Sequence, residues 1–456
     1  MPLNDNHHSI FSTLKWQDSA AFVCAVSYCI LAWYSTQPEF LSLWEFYGLL
    51  GISFFTTFIV FFCSKSENLT AYRIIFWALC FRLIGIVGEP LWEDDFFRYL
   101  WDGYRFYESG SPYGMAPSEF FGDSNIPNQF QQLLARINYP NVPTIYGPVA
   151  EYSFLLSHLI APAKVWSLQL MYAVVDMLLV VLLLKFSREG FTREGEARKE
   201  LVSRRWVLLY AWSPLVIKEI AFTAHPDGLG VMLLVAALYC RYIKSFFWAA
   251  VLLALSVGAK IFALLLVPFL LWQVPFRYWF LFVGVLLALY GPFILNGASD
   301  MAGLLVFAQE WQFNSSVYGV MLQWLDPLIA KLILGFCFLV AYSVVFAKFA
   351  RKAEWVLPRG DLIFGLFFLI APVVNAWYLL WLLPFAVFYP NLWSWTFSIV
   401  VCLSYAIGIN LNSTEYQPFE LPLWVYFVEY GAVLAAILVE WWLRCSGRWQ
   451  RSVFYR

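Results

Sequence analysis

GEPLWEDDFFRYLWDGYRFYESGSPY, residues 88–113, decides how the rest of the chain is read. It sets Glu93, Asp94, Asp95, Asp102, Arg98 and Arg105 among a rank of aromatics, directly after the apolar run 71–88. Charges held beside lipid are costly, so a chain that keeps this many there has a chemical reason for them. Asp94, Arg98 and Asp102 are spaced i, i+4, i+8, and Asp95, Tyr99 and Asp102 are spaced i, i+4, i+7. Both spacings predict a helix within 93–107 with the two sets on roughly one face. Gly110-Ser111-Pro112 predicts where it stops, because glycine followed by proline does not continue a helix. An arginine neighbour holds one carboxylate at low pKa, while a second carboxylate nearby is pushed toward base duty near neutral pH. The same residues also fit a plain salt-bridged interfacial helix with an aromatic belt.

Working outward, the 456 residues are 61% hydrophobic and 13% charged, with a mean hydropathy of +0.67. That is about half the charge of a soluble domain and belongs to an all-α polytopic membrane protein. Aromatics at 20% suit interfacial belts and a stacking site. A net charge of −1 gives no basic surface for nucleic acid. The eight cysteines form no CxxC pair, which indicates neither a disulfide framework nor a zinc site. The first apolar run lacks an n-region and a cleavage motif, so it is expected to stay as an uncleaved anchor.

Apolar runs fall at 19–36, 44–63, 71–88, 166–185, 205–221, 227–243, 246–259, 261–273, 278–296, 323–347, 361–374, 376–390, 393–410 and 422–443. They predict a single integral-membrane domain over 1–456 with about 14 transmembrane helices, several shorter than the ~20 residues of a full span. Placing the N-terminus in the cytoplasm puts 21 of the 29 Lys and Arg on that side, including the basic loop 185–205. This works only if 146–161 lies in the interface instead of crossing. The segment 89–165 is then a large first outer loop containing interfacial helices.

Further polar groups fall on the same outer face. The loop NYPNVPTIYGP (138–148) is proline-rich, and WSPLVIKEIAFTAHPD (212–227) supplies Lys218, Glu219, His225 and Asp227. Lys260, Trp311 to Tyr318 and Asn375 to Trp381 follow. Each has a plainer reading: a buried Lys218–Glu219 ion pair, a turn histidine at 225, a snorkelling lysine at 260. Together they describe an acidic site with cationic neighbours, open to water and to the bilayer. A lipid-linked phosphosugar has those needs: a cation for its phosphate, Trp or Tyr for its sugar, and a carboxylate base for the acceptor hydroxyl.

The block Glu93-Asp94-Asp95-Phe-Phe-Arg98-Tyr99-Leu-Trp101-Asp102-Gly103, followed by Gly110-Ser-Pro112-Tyr113, resembles the DDxxRYxWDG…GxNPY signature of polytopic GT-C glycosyltransferases. The bacterial polyprenyl-phosphate-mannose-dependent mannosyltransferases are the most similar group. Segment 138–148 resembles their INxPxxPTIYPP, Trp212-Ser-Pro214-Leu with Glu219 and His225-Pro-Asp227 resembles NPLxxxE…GHxD, and Lys260 matches the lysine of KxxxLLLLP. Trp311, Phe313, Asn314, Ser316, Tyr318, Trp377, Tyr378 and Trp381 match later blocks. The chain departs at Ser111 (usually Asn), Gly147 (Pro) and Asn375 (His or Pro).

The resemblance implies a GT-C-type bundle in a bacterial inner membrane, with its catalytic acid in the first large periplasmic loop. It implies transfer of a sugar, a mannose-like hexose favoured, from a polyprenyl phosphate to an acceptor on glycan, lipid or protein, usually with anomeric inversion. It places the base at Asp94 or Asp95, with Asp95 preferred and Arg98 and Asp102 orienting it. Lys260 with Lys218 or Arg82 would neutralise the leaving phosphate. Tyr99, Trp101, Tyr113, Tyr146, Glu219, His225, Asp227, Trp311, Asn314, Tyr318, Trp377 and Tyr378 would contact substrate. Some members of the superfamily use a divalent metal and others do not, and no ligand set in this sequence decides the point. The competing readings are a transporter or flippase of lipid-linked sugars and a non-catalytic subunit of an envelope-glycan assembly complex.

Overall fold

A computed structural model describes residues 15–37, 42–64, 68–188 and 203–449. Most of the basic 185–205 loop and the N-terminal residues 1–14 lie outside the described residues. Among those described, every regular element is helical, and Phe313 and Val373 form an isolated parallel bridge.

All fourteen apolar runs become helix, but they are not fourteen spans. Six helices are long and apolar enough to cross a membrane: Trp16–Ser35, Leu43–Cys63, Trp166–Ser187, Phe276–Leu295, Pro327–Ala350 and Leu423–Cys445. A seventh arises if the bent pair Pro214–Phe222 and Asp227–Tyr242 counts as one. The other runs make helices such as Phe246–Ala259 and Gly360–Ile370. At about 1.5 Å per residue these fall short of the ~30 Å hydrocarbon layer. The expected count of about fourteen spans thus stands against six or seven helices of spanning length and composition among the described residues.

The first three helices, Trp16–Ser35, Leu43–Cys63 and Ala71–Val87, are joined by links too short for anything but up-down-up packing. At one end of this trio Arg73 pairs with Asp18 at 2.8 Å, and Lys15 donates to Asn68. At the other end the Glu89 amide donates to Ser35 Oγ at 2.8 Å. The chain then enters the charged stretch. Asp95–Ser109 is a helix, as its spacing predicts, and Gly110 closes it in the left-handed region at φ 72°. Few residues but glycine take that conformation without strain. Pro148–Ile160 is a helix of 13 residues within the 146–161 run, too short to span a ~30 Å hydrocarbon layer.

These two helices lie against each other at Gly103. A Cβ placed there would sit 2.4 Å from the Phe154 carbonyl oxygen. The backbone of one helix thus fills the space a side chain would need on the other, which fixes their separation. Gly103→Ala would ordinarily favour a helix. Here it should destabilise the protein by about 1–3 kcal/mol through overpacking. A melting temperature in detergent no lower than that of the unmodified protein would contradict this close approach.

Candidate functional site

The cavity at this end of the bundle measures about 1010 Å³. Its walls include Glu93, Asp94, Asp95 and Arg98 from the charged stretch, Tyr146 from the proline-rich loop, and Lys260 from the junction after Phe246–Ala259. Trp311, Trp377 and Tyr378 add aromatic faces. Eight of the residues singled out from sequence thus meet in one cavity: Asp94, Asp95, Arg98, Lys260, Tyr146, Trp311, Trp377 and Tyr378.

The carboxylates are in unusual company. Burial raises the Asp95 carboxyl to about 7, and its neighbour Asp94 pushes the same way while Lys260 opposes. Burial also raises Asp94, and raises Glu93 well above the usual carboxylate range with Asp95 adding to the effect. Desolvation penalises the charged form, and like charges packed together penalise it again. Asp102 accepts both its contacts from Arg98 Nε at 2.9 Å, yet burial outweighs the arginine and its carboxyl is raised as well. This corrects the expectation that the arginine keeps it low. Glu93, Asp94 and Asp95 each offer an oxygen within 4.8 Å of the others, a spacing that could hold a divalent cation.

Lys260 is positioned from behind. Its Nζ lies 3.0 Å from Asp227 Oδ2, and Asp227 Oδ1 accepts from Trp381 Nε1 at 2.8 Å. The rings of Tyr378 and Tyr146 stand 5.3 and 5.6 Å from the ammonium. An anion entering the cavity meets a lysine that cannot swing away.

The remaining candidates do not line the cavity. Arg82 is 1% exposed and bound to Asp176, with Ala78 and Ala211 carbonyls also accepting from it at 2.9 Å. It cross-links three helices and is not among the residues lining the cavity. Lys218 is buried on Glu219 at 3.3 Å and over the Tyr405 ring at 4.0 Å, the ion pair that the plainer reading gave. Trp101 packs on Tyr104 and Phe120 in the core of the outer segment. Tyr113 donates its hydroxyl to the Tyr146 carbonyl at 2.9 Å and steadies that wall. Asn314 donates to Glu429 at 2.8 Å, and Tyr318 belongs to a separate cluster with Ala330 and Leu334. Asp102, Asp227, Tyr99, Glu219 and His225 stand behind the cavity wall, all buried. These five are not among the residues that line the cavity.

Sequence reasoning singled out the 138–148 loop but left out the 410–420 part of the rim. Arg136, Asn138 and Tyr139 line that rim, with Asn410, Asn412 and Phe419 from the segment before Leu423–Cys445. The signal was the run NLNSTEYQPFE, 410–420, whose polarity between two apolar stretches marks an outer loop. Tyr139 and Asn412 both take φ 50°. Left-handed backbone at non-glycine positions costs energy and gathers at functional sites.

Helices throughout the described residues, several of them apolar and of spanning length, with an acid-lined, cation-backed cavity at one end, define a membrane protein with a polar site. Residues 12–275 match the MptA_B family, described as alpha-(1->6)-mannopyranosyltransferase, N-terminal domain, and the chain belongs to that family. It is a membrane glycosyltransferase of the GT-C mannosyltransferase type, as the signature in 93–113 implied. No curated protein and no solved structure matches it.

The two basic residues separate cleanly in experiment. Arg82→Ala leaves Asp176 buried without its partner and should cost about 3–5 kcal/mol of stability. Lys260→Ala also leaves the buried Asp227 without its cation and should lower the melt, but only this substitution should raise the apparent KM for a phosphate-bearing donor, about tenfold, equivalent to ~1.4 kcal/mol. An unchanged donor KM in Lys260→Ala would remove that lysine from the site.

Proposed function

We propose that the protein transfers a mannose-like hexose from a polyprenyl-phosphate carrier to an acceptor hydroxyl at the periplasmic face of a bacterial inner membrane, with Asp95 as general base. The observation that carries this reading is a carboxyl near neutral pKa on a cavity wall, with the Asp227-held Lys260 on the same cavity.

The chemistry follows from those two groups. A base works best when its pKa lies near the operating pH, and burial beside Asp94 brings Asp95 to that value. Lys260 receives the phosphate, whose charge grows as the bond from anomeric carbon to phosphate oxygen breaks. Trp311, Trp377 and Tyr378 offer faces on which a sugar stacks. Leu43 and the 62%-exposed Trp44 join the lining from the start of the apolar helix Leu43–Cys63, and a polyprenyl tail leaves the cavity along that helix. The acceptor enters over Asn138, Tyr139, Asn410 and Asn412. Arg98, bound to Asp102 and to the Val142 carbonyl at 2.9 Å, ties the Asp95–Ser109 helix to the proline-rich loop and so fixes the base.

Asp95→Asn should reduce mannose transfer from a polyprenyl-phosphate mannose by about 10²–10⁴-fold with an unchanged melting temperature, and Asp94→Asn should do less. Full activity in Asp95→Asn would end the assignment. The ionised carboxylate is the reactive form, so the rate should climb as pH rises toward about 7 and level off above it. A rate that falls over that interval would also contradict the base. The orientation predicts that a cysteine replacing Gly195 in a cysteine-free background is labelled only from the cytoplasmic side.

A further inference from the structure

Behind Asp95 runs a file of buried polar groups that starts at Tyr146 on the cavity wall and leads away from the cavity. Tyr146 Oη lies 3.5 Å from Asp95 Oδ2 and 3.4 Å from Tyr99 Oη. Tyr99 Oη lies 3.0 Å from His225 Nδ1, and His225 Nε2 lies 3.3 Å from Glu219 Oε2. Glu219 in turn holds Lys218 and accepts from Thr223 Oγ1 at 3.1 Å. Tyr99 and Glu219 are fully shielded, and His225 is 1% exposed.

The fold builds this file deliberately. The Lys218–Phe222 segment is a π-helical turn, and the chain bends by 116° before Asp227–Tyr242. Ala224 takes φ 56° at the corner. That break swings His225 under Trp377, stacked at 4.1 Å, and turns its two nitrogens toward Tyr99 and Glu219. π-turns and broken helices in membrane bundles gather where backbone irregularity serves a site. Tyr99 itself is clamped between Phe154, stacked at 4.8 Å, and Tyr146, edge-on at 5.2 Å. An aromatic core needs packing of this kind; it does not need hydroxyls hydrogen-bonded in series from Asp95 to His225 Nδ1, with His225 Nε2 left unbonded 3.3 Å from Glu219.

We propose that Tyr146, Tyr99 and His225 form a proton relay from Asp95 to Glu219, so that the proton taken from the acceptor is shared with a carboxylate outside the cavity. This rests on Asp95 being the base. The Tyr99 contact sets the tautomer: Nδ1 of His225 accepts from Tyr99, so the ring proton sits on Nε2, which makes no hydrogen bond at rest and reaches Glu219, 3.3 Å away, in the relay step. In the transfer step the acceptor O–H bond breaks and its oxygen bonds the anomeric carbon. The electron pair of the breaking bond leaves on the phosphate oxygen, and the proton goes to Asp95. Asp95 then donates to Tyr146 oxygen while Tyr146 donates to Tyr99, Tyr99 to His225 Nδ1, and Nε2–H to Glu219 Oε2. Each intermediate group gains one proton and loses one, and the net change is one proton moved. The same route run backward reloads the file and returns the proton through Asp95 to the cavity.

The test is a proton inventory of single-turnover mannose transfer in mixtures of H₂O and D₂O, using a polyprenyl-phosphate mannose and a short α-(1→6)-linked mannose oligosaccharide. The unmodified protein should show a bowed dependence on deuterium fraction, because several protons are in flight. Tyr99→Phe, which keeps the ring and its packing, should slow the step on the order of ten- to a hundredfold and straighten the plot, with an unchanged donor KM. His225→Gln should do the same. A linear or absent solvent isotope dependence in the unmodified protein overturns the relay, as does a Tyr99→Phe variant with undiminished rate. The two proposals fail separately. Activity retained in Asp95→Asn removes the base, whereas an inactive Asp95→Asn beside an unimpaired Tyr99→Phe removes only the relay.

Discussion

A carboxylate moved out of water must be paired, protonated or kept at the edge of a wet space, and the arrangement around Asp95 combines all three. Glu93, Asp94 and Asp95 stand together on one cavity wall, where burial and mutual repulsion raise each of them. The nearby ammonium of Lys260 limits that rise at Asp95, and Asp227 keeps Lys260 from neutralising it outright. The result is a set of opposed charges gathered on one cavity. A site of this kind is less stable than an apolar one would be, and the surrounding helices have to hold it open.

They do so by being cross-linked where they are charged. Arg82 joins Asp176 and two backbone carbonyls deep in the bundle, and Tyr210 donates to the same Asp176 at 2.6 Å. Gln169 bridges the Gly88 carbonyl and the Phe222 carbonyl at 2.9 and 2.8 Å, which ties the entry to the charged stretch to the π-helical turn. Buried polar groups left unsatisfied in hydrocarbon cost several kcal/mol each, so these bonds specify one arrangement of the helices. By contrast, Phe276–Leu295 and Pro327–Ala350 have only 11% of their apolar windows buried within the chain. These two helices present their surface outward, while the site is carried by the tightly packed half.

The order of the elements explains how a short sequence block acquires chemistry. Gly103 lets the Asp95–Ser109 helix approach the Pro148–Ile160 helix, and Arg98 clasps the loop between them. The proline-rich loop then lays Tyr146 against both Asp95 and Tyr99. The bent pair at 214–242 supplies His225 and Asp227 on either side of its corner. One faces the tyrosine file and the other holds the lysine.

The amino-acid order alone determined the helical membrane class, the extent of the Asp95–Ser109 helix and its glycine stop, and the family signature, because these follow from local spacing and composition. It also isolated the residues that converge on the cavity, since charged and aromatic side chains beside apolar runs stand out one at a time. Span number was beyond it: hydropathy marks helices of ten residues as readily as those of twenty, and only packing separates them. Nor could spacing tell Lys260 from Arg82, two cations in apolar runs, one with its ammonium at the cavity and the other spent on Asp176. That difference, like the alignment of Tyr99 with His225 across 126 residues of chain, exists only once distant helices are brought together, because burial and partnership are properties of neighbours in space.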